Sequence, residues 1–181
     1  MIMKILRISC IILFSLLFCY CSKVNTTENE LGEGLKFYLL KDSSITAHQV
    51  DSISINNLIL ADKPLLTYKN LSNYIWSEHT FVIDSEKAGV IQNLCKNNGS
   101  YNAKFSGGIP FVVTVDNERI YLGAFWYGYS SLAPVFPYID ALFMNGAPTI
   151  LTIRKAWIDK QPDLRNDPRI YKALATHGLI K

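Results

Sequence analysis

The stretch "WSEHTFVID", residues 76 to 84, gathers the side chains that come nearest to a catalytic set in this sequence. A hydrolase would use His79 as a base oriented by an acid such as Glu78 or Asp84. Neighbouring strand residues point to opposite faces, so Glu78 cannot orient His79 locally, and the chain has no G-x-S-x-G motif to supply a serine. A turn histidine that bonds the backbone is therefore the favoured interpretation, and a small hydrolase is the alternative.

Cys95 is the other candidate nucleophile, because the remaining three cysteines lie at positions 10, 19 and 21. A reactive cysteine needs a lowered pKa and a neighbouring base, and no local motif supplies either. Cys95 follows Leu94 in a predicted helix, a position typical of a small core residue. The alternative hydrolase would pair His79 with an acid or with Cys95.

Metal, cofactor and nucleic-acid chemistry find little support in the spacing of residues. The three histidines are far apart, and none belongs to an H-x-x-x-H pair. The only Gly-Gly, in "FSGGIP", lacks the lysine of a P-loop and precedes a predicted strand. Without Lys4 and Arg7 the chain carries 16 basic and 15 acidic residues, so we expect no nucleic-acid partner, no metal and no cofactor.

A run of aromatic residues in "GAFWYGYSSLAPVFPYID" is the best candidate for a binding surface. Tyrosine and tryptophan dominate protein-binding hot spots, and a proline-stiffened loop loses little entropy on binding. The same rings could instead cap the sheet, and successive strand residues cannot enter one core together. The predicted binding set is Phe125, Trp126, Tyr127, Tyr129 and Tyr138.

The first 21 residues have the charged, apolar, polar order of an export signal. The apolar run from Ile8 to Cys21 is shorter than a membrane-spanning helix normally requires. Its junction with a Ser/Thr/Asn/Glu-rich tether resembles that of a bacterial lipoprotein, in which Cys21 would carry the acyl chains. Bulky residues before Cys19 and Cys21 leave a secreted or periplasmic protein, or an uncleaved anchor, as the alternatives.

The elements that must position these residues follow from local patterns in a single domain, 35–181, after a leader, 1–21, and a tether, 22–34. "LKFYLLKD" and "PTILTIRKAWI" predict strands, and "GIPFVVTVDNERIYLGAFW" predicts a hairpin that turns at Asp116 and Asn117. Both hairpin faces carry bulky side chains, so we expect both faces to be covered. The long segment 128–146 is expected to be irregular.

Three helices are predicted around these strands. Thr67 would cap a short helix in "LTYKNLSNYIW", and Asp84 or Ser85 would cap a longer one ending at Asn97 to Gly99. In "NDPRIYKALATHGLIK", Asp167 is an N-cap residue, and a proline at the first helical position and a glycine past the end mark the helix limits. The chain is therefore expected to be α+β, with a mainly antiparallel sheet, a central hairpin and two to four short helices packed on the sheet.

The segments "YLLKD", "W-x-x-H-T" and "GIPFVVTVDNERIYLGAFW" resemble an uncharacterised family of bacterial secreted proteins and lipoproteins. "FVIDSEKAGVIQNL" and "VVTVDNERI" are also similar, more weakly, to the extracytoplasmic head of the export subunit SecD, which implies a small ferredoxin-like module. The first likeness implies an extracytoplasmic location, and the second implies the fold alone. From the leader, the lack of catalytic motifs and the aromatic run we expect a membrane-anchored, non-enzymatic binding or accessory module. Its expected partners are an envelope protein or peptide and, through the lipid anchor, the membrane.

Overall fold

The computed structural model describes residues 34–98, 104–158 and 162–181, and a single eight-stranded sheet runs through them. The order of the strands across the sheet is β2-β1-β5-β6-β7-β8-β4-β3, and every neighbouring pair is antiparallel except β6 and β7. The fold is thus a sheet-rich α+β structure, as the sequence predicts. The strands are β1 Leu35–Leu39, β2 Leu66–Thr67, β3 Leu71–Ile75, β4 Thr80–Ile83, β5 Ile109–Val115, β6 Glu118–Trp126, β7 Tyr138–Asp140 and β8 Ile150–Arg154.

The two edge strands of this sheet, β2 and β3, are neighbours in sequence. A single 3-10 turn, Tyr68–Asn70, joins them, and Thr67 and Asn70 form a capping box around it. Because one short turn connects opposite edges, the sheet curls almost into a barrel. The free edge of β3 is covered by the end of the chain, since the Tyr74 amide donates to the Leu179 carbonyl at 2.7 Å.

Both faces of the curled sheet are buried, and alternation along the strands separates two cores. On β6, Tyr121 and Phe125 enter the inner core, whereas Leu122, Ala124 and Trp126 enter an outer core. The outer core is covered by the segments that carry Ala47, Val50 and Leu58 and, farther along, Phe136. The expectation that both hairpin faces are covered is confirmed.

Three α-helices occur in the described residues: α1 Ser85–Asn98, α2 Lys104–Gly107 and α3 Pro168–Thr176. The Asp84 carboxylate accepts the Lys87 amide at 2.7 Å, and Asp167 accepts the Arg169 amide at 2.9 Å, so both predicted caps are present. Gly178 has a φ of 68°, as expected just past a helix end. None of these helices is long and apolar enough to cross a bilayer.

Both longer helices contribute to the inner core. α1 buries Ala88, Ile91 and Cys95, and α3 buries Ile170 and Leu174 in the same cluster. The spacing of Ile170 and Leu174 predicts an apolar stripe on α3, and the structure confirms it. The spacing of Val90, Ile91, Leu94 and Cys95 predicts a stripe on α1 that is partly wrong, because Val90 is 41% exposed.

The helix predicted in "LTYKNLSNYIW" is wrong, because Leu71–Ile75 is strand β3. A β-bulge between Leu71 and Asn73 shifts the register against β4 by one residue. Leu71 and Tyr74 are therefore both buried at a spacing of three, which in the sequence looks like a helical stripe.

The segment 128–146, expected to be irregular, contains strand β7 and the 3-10 segment Ala141–Gly146. β7 has only three residues, too few for an alternating pattern to be seen in the sequence, and it pairs parallel to β6. The parallel pairing requires the chain to cross over between Trp126 and Tyr138, which places this loop beside the outer core.

Candidate functional site

The five rings of the predicted binding set do not form one exposed surface. Phe125 and Tyr127 lie in the inner core, and Trp126 and Tyr138 lie in the outer core, each with at most 7% exposure. Strand alternation sends consecutive rings to opposite faces, and both faces are covered. Tyr129, with 59% exposure, is the one ring of this set that a partner can contact without rearrangement.

Two of the buried rings have close partners. The Trp126 indole packs against Phe136 and over Gly108, where an added Cβ would lie 2.6 Å from the ring. The Tyr127 hydroxyl donates to the Cys95 carbonyl at 2.7 Å and so joins β6 to α1. These two rings serve the packing of the sheet, which corrects the prediction that they face a partner.

The Cys95 thiol is buried in the inner core with 3% exposure. Burial raises the pKa of this thiol to about 12. Cys95 is therefore neutral at physiological pH and lacks the thiolate that a nucleophile requires.

His79 lies in a buried polar cluster formed by Tyr74, His79, Tyr121, Asp163 and Arg165. Its side chain is 5% exposed, its φ is 52°, and its Nδ1 lies 3.2 Å from the Tyr74 hydroxyl. Burial lowers the pKa of His79, the Arg165 charge lowers it further, and the Asp163 charge raises it. His79 is thus neutral at pH 7, beside a tyrosine.

The charged part of the cluster is the Asp163–Arg165 pair. The Arg165 Nη2 lies 2.6 Å from Asp163 Oδ2 and its Nε lies 2.9 Å from Oδ1, so the pair is bidentate. A further donor, Nη1, reaches the Ile153 carbonyl at 2.8 Å. Hydrogen bonds from Arg165 hold the pKa of Asp163 below its ordinary value.

Burial raises the pKa of the Tyr74 and Tyr121 hydroxyls well above the ordinary tyrosine value. The cluster therefore combines one ion pair with three neutral side chains at neutral pH. The carboxylates predicted near His79 lie elsewhere: Glu78 is exposed, and Asp84 bonds Asn70 and the Lys87 amide.

An open cavity of about 300 Å³ lies directly beside this cluster. Residues 120–122 of β6, 135–137, 155–156 and 162–164 line it, together with Asp51 and Ile55, and we call the 135–137 and 162–164 segments its walls. We call this cavity the apolar groove. Tyr121 and Asp163 belong both to the groove and to the polar cluster.

Large apolar side chains are exposed along the rim of the apolar groove. Val135 is 43% exposed and Leu164 38% exposed, and both line the cavity. Trp157, 57% exposed, follows Ala156 of the lining, and its amide donates to the Pro134 carbonyl at 3.0 Å. Clustered apolar side chains of this kind are typical of interaction sites.

Hydrogen bonds fix both walls of the groove. The Trp157 indole nitrogen donates to the Tyr138 hydroxyl at 2.7 Å, and the Arg165 side chain holds Asp163. Tyr138, predicted to bind a partner, thus acts here by orienting an exposed ring. Preformed walls reduce the ordering entropy that binding would cost.

Sequence reasoning missed Trp157, Leu164 and Arg165. Trp157 was assigned to a strand in "PTILTIRKAWI", but β8 ends at Arg154. A tryptophan between a strand end and Pro162 was an available signal for an exposed aromatic. Arg165 gave none beyond the local Asp-x-Arg spacing, because the Ile153 carbonyl in β8 becomes its neighbour only in the folded chain.

No family model, curated protein or solved structure matches this chain. The resemblance to secreted proteins and to the SecD head therefore stays a prediction. Within the described residues no group of three or more potential metal ligands comes together. Cys19, Cys21 and the whole leader lie outside the described residues.

Proposed function

We propose that the protein is an exported, lipid-anchored bacterial envelope protein that acts as a non-enzymatic binding or accessory module. Its apolar groove takes an apolar segment of another envelope protein or peptide. The observation that carries this proposal is the exposure of Val135 and Leu164 in the lining of a preformed cavity, with the exposed Trp157 next to Ala156 of that lining. Location comes from the leader, with Cys21 as the acylated residue.

Binding is favoured over catalysis by the chemistry of the cavity. Its lining is largely apolar, and its charged members are Asp51, Lys155 and Asp163. In the adjoining cluster His79 is neutral and Arg165 is bonded to Asp163. The Cys95 thiol has a pKa of about 12. None of these groups supplies an activated nucleophile together with a base.

The size of the groove indicates its occupant. A volume of about 300 Å³ is at the lower end of the range for small-molecule sites. The cavity is also open along one side, so a few side chains of an extended peptide fit better than a bulky cofactor. Leu164 and Val135 on opposite walls would contact successive apolar side chains of such a peptide.

In-cell photo-cross-linking tests this occupant directly. A benzophenone amino acid replaces Leu164 in the full chain, and the matched control carries it at Ile59, which is apolar and 72% exposed but lies outside the groove lining. Discrete protein adducts from position 164, reduced by Val135→Ser and absent from position 59, are expected. Equal adducts from both positions contradict the proposal, and adducts extracted by organic solvent identify lipid as the occupant instead.

Metabolic labelling with a fatty acid tests the location. Label in the wild-type chain and in Cys19→Ser, lost in Cys21→Ser, is expected if Cys21 is acylated. Label that persists in Cys21→Ser contradicts this assignment.

A further inference from the structure

Continuous contacts connect His79 to a wall of the apolar groove. The His79 carbonyl accepts the Ile153 amide at 2.9 Å. The carbonyl of the same Ile153 accepts Arg165 Nη1 at 2.8 Å, and Arg165 in turn holds Asp163 in the groove wall. Three hydrogen bonds in series therefore connect His79 to the surface that we propose binds a partner.

The surroundings of His79 disfavour a second positive charge. From β3, the Tyr74 hydroxyl faces the ring at 3.2 Å. From the 162–165 segment, Arg165 places its guanidinium near the ring. Among the described residues the carboxylate that opposes this charge is Asp163, which is already bonded to Arg165. From β6, the buried Tyr121 adds a neutral hydroxyl that interacts with the same pair.

Aromatic packing closes the remaining side of His79. The Trp76 ring meets His79 edge-on with centroids 5.5 Å apart, and Tyr171 of α3 packs on Trp76 at 5.1 Å. His79 is only 5% exposed, so a protonated imidazole would be poorly hydrated here unless one of these elements moves. The 162–165 segment is the shortest of them and precedes α3, so it is the element that can move with the smallest loss of buried apolar surface.

We propose that protonation of His79 opens the 162–165 wall, so that the apolar groove releases its occupant in mild acid. The release rests on the function proposed above, whereas the opening of the wall does not. The open form binds one proton that the closed form excludes. The population of the open form therefore rises by up to about tenfold for each pH unit below about 6.5.

Hydrogen exchange on the full chain in detergent micelles tests the opening without any ligand. The Asn166 amide, which donates to the Asp163 carbonyl at 3.0 Å, and the Asp167 amide, which donates to the Leu164 carbonyl at 3.3 Å, report on the wall. The matched variant is His79→Asn, because asparagine tolerates a φ of 52° and does not titrate. His48→Asn removes an exposed histidine as the control.

Between pH 7 and pH 5 the protection of these two amides in the wild type should fall about tenfold or more beyond the fall in His79→Asn. His48→Asn should behave as the wild type does. Equal falls in wild type and His79→Asn overturn the proposal. If His79→Asn does not fold, the wild-type chain still decides, because an Asn166 amide whose protection factor is constant between pH 7 and pH 5 also overturns it. Failure of the cross-linking experiment alone leaves the opening intact and removes only its link to a partner.

Discussion

Replacing Gly108 by alanine tests the burial of Trp126, which the sequence predicts to contact a partner and the structure places in the outer core. Gly108 has a φ of 71°, and an added Cβ would lie 2.6 Å from the Trp126 ring and 3.3 Å from Ala124. Gly178 is the matched control, since its φ is 68° and an added Cβ there meets nothing within 4 Å. Both substitutions strain the backbone, but only one overpacks the outer core.

The expected losses differ by the cost of that overpacking. A left-handed alanine costs about 1 to 2 kcal/mol, which is the whole loss expected for Gly178→Ala. Overpacking adds about 1 to 3 kcal/mol, so Gly108→Ala should lose about 2 to 5 kcal/mol. Urea unfolding followed by circular dichroism measures both variants. Equal losses would show that the Trp126 ring is free to move away and would refute its assignment to a packed core.

Three further predictions concern the charged pairs and the thiol. Arg165→Ala leaves a largely buried Asp163 without its partner and should destabilise the fold by about 3 kcal/mol. Arg169 has the same Asp-x-Arg arrangement but is 48% exposed, so Arg169→Ala should cost under about 1 kcal/mol. Urea unfolding compares the two variants, and equal losses of stability would contradict the burial of the Asp163–Arg165 pair. Cys95 should resist alkylation at pH 8 in the native chain and react fully in denaturant, because the pKa of its buried thiol is about 12. Mass spectrometry of the peptide that contains Cys95 measures the label, and alkylation of the native chain would contradict the burial of the thiol. The pKa values of Asp84, Asp163 and Asp167 are lowered in the folded state, so these carboxylates stabilise the fold fully above their unfolded pKa of about 4. That stabilisation is lost as the pH falls through the folded pKa values. A free energy of unfolding that already declines between pH 7 and pH 5 in His79→Asn would contradict this prediction.

Local signals in the sequence predicted the elements that local physics determines. Asp167 followed by proline, with Gly178 beyond, marks the limits of α3, and Asp84 marks the start of α1. The long β-branched and aromatic runs predict β5 and β6. In each case the residues that form the cap, turn or strand are close together in the sequence, so the element can be predicted without knowing the tertiary contacts.

Features that depend on tertiary contacts could not be predicted in the same way. The bulge in β3 gives Leu71 and Tyr74 a helical spacing, and the parallel pairing of β7 depends on a loop that crosses the outer core. The aromatic run was correctly split between two faces, but the sequence did not show that the segment around Val50 and Leu58 covers the outer face. Because the outer face is covered, Trp126 is buried, and the exposed tryptophan beside the candidate site is Trp157.

We expect a partner of this protein to bind at the apolar groove and not at the aromatic run. In-cell photo-cross-linking from position 164 can be compared with cross-linking from position 129, since Tyr129 is the exposed member of the run. Protein adducts from position 164 are expected at several times the yield from position 129. Adducts from position 129 with none from position 164 would contradict this expectation.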